Sequence, residues 1–151
     1  MRTKTWILAF LIFLAANGCG EKESAEETFT LSPVEIAAIN SEAVQTLGSI
    51  ARSQQAYHLE FDALPPDTSN YAETIGKTET ANFSYTSSLK GENSIIVATP
   101  KKEGVPPHVA FVYPDGEGFF EVMVCKTPVP LPDPIPLPAN KNCPAPLLPQ
   151  G

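Results

Sequence analysis

Three cysteines and two histidines hold the most versatile chemistry in this 151-residue chain: Cys19, Cys125, Cys143, His58 and His108. A thiol can be acylated, oxidised to a disulfide or bound to a metal, and an imidazole can move a proton or ligate a metal. Their spacing supports little of the catalytic side of that list. No His, Cys and carboxylate residues cluster at metal-ligand spacing. No phosphate-binding loop and no G-x-S-x-G turn occur. His58 lies beside Tyr57 in a helical segment, and His108 opens a strand after Pro106-Pro107, so both read as surface or packing residues. Gly116-Glu117-Gly118 is turn punctuation. These residues argue for no enzyme and no cofactor. Of Gln54 and Gln55, one is expected to face the core side or a helix–loop junction and bond buried backbone.

Cys19 has a different context. Arg2 and Lys4 precede an apolar run of eleven residues, Trp6 to Ala16. Eleven residues make about 16 Å of helix, too short for a bilayer core of about 30 Å. Residues 1–18 therefore read as a signal peptide. Small residues leading to a Cys directly after such a run resemble the bacterial lipobox, with Ala16 and Asn17 as departures from its usual pattern. The resemblance implies an acylated Cys19 and an exported lipoprotein, membrane-anchored at the periplasmic face or the cell surface. Three cysteines is an odd number, and lipid on Cys19 leaves Cys125 and Cys143 as a pair in an oxidising compartment. Residues 19–31 include Glu21, Glu23, Glu26 and Glu27 and read as a solvated acidic tether.

The formal charge is −7, from 10 Lys+Arg against 17 Asp+Glu. Loss of Arg2 and Lys4 leaves 8 against 17, or −9. Such a chain repels phosphate backbones, which excludes nucleic acid as a partner.

One long element must organise the rest. Ser32-Pro33-Val34-Glu35 is a helix start with a capping box and proline at the first helical position. Apolar residues then recur at helical spacing: Ile36, Ile39, Ala43, Leu47, Ile50, Tyr57 and Phe61, with Gln54 interrupting the stripe. The helix should end before Pro65-Pro66. Residues 33–62 make about 45 Å of helix, enough for its N-terminal half to project past a small sheet. Residues 66–81 read as a loop. Four short strands are expected at 83–89, 94–99, 108–113 and 119–125, with turns at 90–93 and 114–118. Short links make the sheet antiparallel. Phe120, Val122 and Val124 should face the helix, with Glu121, Met123 and Cys125 on the outer face. The globular domain is placed at 32–127. Residues 128–151 hold nine of the sixteen prolines and can be neither helix nor central strand. Their apolar residues should return over the outer face or the sheet edge.

Residues 52–60 carry the sharpest motif. Arg52, Gln54, Gln55, Ala56, Tyr57, Leu59 and Glu60 resemble the R-x-Q-Q-A-Y-x-L-E signature of type IV pilin-like G and H proteins. Residues 75–85 resemble that family's G-x-x-T-E-T-x-N-Y-S-Y stretch, with Phe83 for the first Tyr. Val124-Cys125 and Asn142-Cys143-Pro144 fit its C-terminal end, so the resemblance spans roughly residues 34–146. It implies an α+β, type IV pilin-like fold: a long N-terminal helix on a four-stranded antiparallel sheet with a disulfide-closed C-terminal loop. It also implies pilus or secretion-system partners. A prepilin leader is replaced here. Phe29-Thr30-Leu31 follows Thr28 rather than Gly, and the helix beyond it is amphipathic. The reading is a pilin head on a lipid anchor, with a non-enzymatic structural or interaction role linked to type IV pilus or type II secretion machinery. The alternative is a periplasmic or surface ligand-binding lipoprotein unrelated to pili.

Overall fold

The computed structural model of the chain describes residues 30–65, 78–139 and 141–150. The expected signal peptide, Cys19, the tether up to Phe29 and most of the 66–81 loop lie outside these residues.

The helix α1 runs from Pro33 to Phe61. Its start is the expected capping box: the Glu35 amide donates to Ser32 Oγ at 3.3 Å, and the Ser32 amide donates to Glu35 Oε2 at 2.8 Å. Two of the helix's orphan N–H groups thereby gain partners. Its end is Asp62, in the left-handed region at φ 52°, whose amide donates to the His58 carbonyl at 2.8 Å. The residues between carry the buried stripe Ile39, Ala43, Leu47, Ile50 and Ala51. Gln54 continues that stripe and is fully buried, so it does not interrupt it. Phe61 leaves it: the side chain is 55% exposed, because the helix ends beyond the sheet it covers.

The sheet is a meander. Strands β1 (Phe83–Lys90), β2 (Asn93–Pro100), β3 (His108–Pro114) and β4 (Phe120–Lys126) lie side by side in chain order, all antiparallel. Lys90 opposes Asn93, so Gly91 and Glu92 alone make the first turn, with Gly91 at φ 63°. The β3–β4 connection has the expected length but lies one residue later than the 114–118 turn expected. Pro114 opposes Phe120, leaving five loop residues. Asp115 Oδ1 organises them, accepting from the amides of Glu117 at 2.7 Å and Phe119 at 3.0 Å.

A fifth, two-residue strand joins the four expected. β5 (Leu148–Pro149) pairs with the end of β4, Cys125 opposite Pro149 and Lys126 opposite Leu148. Pro149 tolerates this place because an edge strand leaves one side of its backbone unpaired.

The helix lies on one sheet face and the proline-rich segment on the other. On the helix side Leu47 and Ile50 pack with Phe83, Tyr85, Ile96, Ala110 and Val112, and Phe120, Val122 and Val124 join from β4. Leu31 and Val105 belong to the same core, so the helix start is covered by the β2–β3 loop and does not project freely. On the outer face Ile95, Val109, Phe111 and Cys125 pack with Leu131, Ile135, Leu137 and Leu147 from the tail. The alternation read for β4 therefore holds on both faces. β3 is buried on both sides, which is why His108-Val109-Ala110-Phe111-Val112 carries no solvent-facing polar residue. Among the described residues no helix is long and apolar enough to cross a membrane.

Candidate functional site

The signature segment of α1 splits between core and surface. Gln54 is fully buried. Gln55 Nε2 donates to the Phe120 carbonyl and pins the first residue of β4 to the helix. His58 presses its ring edge-on against Phe120, with centroids 4.4 Å apart, which makes it a packing residue. Tyr57 stacks on Phe61 at 4.4 Å, on the half-exposed flank rather than in the core stripe expected for it. Arg52, Ala56, Leu59 and Glu60 face solvent, and Leu59 is 78% exposed. The segment is therefore a clamp on β4 along one side and an open surface along the other. A second tie runs from Asn82 Nδ2 to Glu42 Oε2 at 2.6 Å and fixes the approach to β1 against the middle of α1.

The two distant cysteines form a disulfide, Cys125 to Cys143, with Cα atoms 5.9 Å apart. Cys125 is fully buried on the outer face. Between them the tail crosses that face, reaches the β3–β4 hairpin near Pro138 and Lys141, and returns. Lys141 Nζ pairs with Glu121 Oε1, and the other carboxylate oxygen accepts from the Tyr113 hydroxyl at 3.0 Å. Burial and the bonded Glu121 carboxylate push the Tyr113 hydroxyl up to about 12. The Lys141 and Tyr113 hydrogen bonds hold the Glu121 carboxyl below its ordinary range.

His108 is fully buried, with its ring edge-on to Phe83 at a 6.1 Å centroid distance. Burial lowers its pKa from the ordinary 6.5. It is a neutral core residue. Among the described residues no three His, Cys, Asp or Glu side chains gather closely enough to hold a metal ion. Cys19, the expected lipidation site, lies outside the described residues.

One concavity was not legible in the sequence. At the pole where α1 ends, a groove of about 610 Å³ opens between the helix C-terminus and the two hairpin tips. His58, Asp62, Leu89, Glu92, Phe119 and Phe120 line it. Leu89 is 42% and Phe119 64% exposed. The available signal was two large apolar residues at hairpin tips, beyond any core-facing alternation.

Residues 40–144 match the family model for type IV pilin-like G and H proteins. No curated protein and no solved structure matches the chain.

Proposed function

Since this chain belongs to the type IV pilin-like G and H family, we propose that it is a non-enzymatic envelope lipoprotein that presents a pilin-like head from the membrane through lipid on Cys19. In this reading residues 1–18 are removed on export and residues 19–31 are the tether. Residues 32–127 are the head, and residues 128–151 are the segment tied back by the disulfide. The role is structural or interactive, toward components of type IV pilus or type II secretion machinery. The membrane and those components are its partners, and it uses no cofactor.

The observation that carries the reading is the start of α1. Assembly into a pilus shaft requires an apolar helix running without interruption into the head. Here a closed capping box at Ser32 and Glu35 ends the helix, with Thr30 and Leu31 outside it. A capped start with an amphipathic first half supports a head that is carried on a tether, and the acylated cysteine supplies the attachment. One acyl chain holds a protein at a membrane only marginally, whereas several hold it stably.

Fractionation tests this directly. Wild-type protein should sediment with membranes and need detergent for release, and Cys19→Ala should leave it in the soluble exported fraction. Equal membrane association of the variant would refute lipid anchoring. The interaction role is tested by cross-linking wild-type cells and purifying the protein in detergent. Recovery of pilus-assembly or secretion components is the expected result.

A further inference from the structure

We propose that the groove at the C-terminal pole of α1 is a docking site for an extended segment of a partner protein that places a large apolar side chain next to a Lys or Arg. The inference deepens the interaction role and rests on that reading.

The floor is apolar and its rim is anionic. Leu89 and Phe119 stand exposed on opposite hairpins and Phe120 closes the bottom, a shape that takes one or two side chains. The carboxylates of Asp62 and Glu92 stand on the rim, and no Lys or Arg is among the described lining residues. The C-terminus of α1 points its partial negative charge at the same space. Asp62 is costly in its own right. It is the only described non-glycine residue at positive φ, and its carboxylate sits at the helix end where a cation is favoured. Asn or Gly fits such a position better.

Other occupants fit less well. A second copy brings its own excess of carboxylates to an anionic rim. The chain's own N-terminal segment enters at the opposite pole. The 29-residue helix separates the two by about 43 Å. The eleven residues from Cys19 to Phe29 span at most about 40 Å, so an anchored tether does not reach the groove. The groove is thus left open to a partner rather than filled by the chain's own anchored segment.

The test uses the full chain, purified from membranes in detergent and labelled at Leu methyl and Phe ring positions. The probes are acetyl-Phe-Arg-amide and its uncharged isostere acetyl-Phe-citrulline-amide. The Arg peptide should shift Leu89 and Phe119 signals and bind roughly tenfold more tightly than the citrulline peptide, as a charge-assisted bond predicts. That preference should shrink as salt is added. Asp62→Asn with Glu92→Gln should abolish it while the protein unfolds at an equal or higher temperature. Equal binding of the two peptides, or no shift at Leu89 and Phe119 at about 10 mM peptide, would overturn the proposal. So would peptide-free shifts of these signals with protein concentration, which would assign the groove to a second copy. Recovery of envelope partners from cross-linked cells in any of these cases would leave the broader interaction role standing.

Discussion

Individual side chains divide into those whose role follows from local pattern and those whose role depends on what surrounds them. Leu47 is fully buried at the centre of the α1 stripe. Leu47→Ala should cost about 2–5 kcal/mol, measured by denaturant unfolding, and a cost below about 0.5 kcal/mol would undo the packing described. Gln55→Ala removes the bond to Phe120 and should cost about 1 kcal/mol, with faster amide exchange at the start of β4. His108 gives the molecule a pH dependence. Its folded-state pKa is depressed, so the unfolded chain takes up the proton first as pH falls below 6.5. Stability should be full above that pH and decline as pH falls from there toward the depressed folded-state pKa, and His108→Phe should flatten the decline that begins below about pH 6.5. The capping pair Ser32 and Glu35 was legible because both partners lie within one turn. Gln54 was not. Periodicity scores a side chain by its polarity, whereas a long amide can occupy a core position when its polar atoms are bonded there. Phe61 failed in the opposite direction: its spacing puts it on the stripe, yet the side chain is exposed at the end of α1.

At the scale of elements, the helix and the four main strands were readable, because each is a periodic or continuous apolar run bounded by Pro, Gly or Asn. The facing of β4 followed from alternation alone, which places Cys125 on the outer face. β5 was unreadable: two residues, one of them proline, give no strand signal, and they pair with β4 at the far end of a tail that returns across the sheet and is joined to β4 by the disulfide. The tail makes the outer face of the sheet a second core. Replacing both Cys125 and Cys143 with Ala should therefore cost about 3 kcal/mol by loop-closure entropy. It should also raise amide exchange across Val109, Phe111 and Met123, which the tail covers. Unchanged protection there would mean that the apolar residues of the tail hold it without the bond. Ser32→Ala tests the other end and should cost about 1 kcal/mol, lost from the first turn of α1.

As a whole molecule, the protein has two unlike ends joined by one helix. Leu31, Ile36 and the β2–β3 loop gather at the N-terminal end of α1. The other end gathers the hairpin tips, the end of α1 and the acidic groove. This polarity was half legible. The proposed N-terminal address and acidic tether are readings of the sequence, but the groove requires the meander, which brings Leu89 and Phe119 to the same pole. The central claim is that a pilin-like head is carried by lipid in place of a membrane-spanning helix. The intact mass of the protein extracted from membranes without reduction tests it most directly. The account predicts a chain beginning at Cys19, heavier than residues 19–151 by its acyl groups and lighter by the two hydrogens lost in the Cys125–Cys143 bond. A chain beginning at Phe29, or one with an unmodified Cys19 at or near its N-terminus, would contradict it.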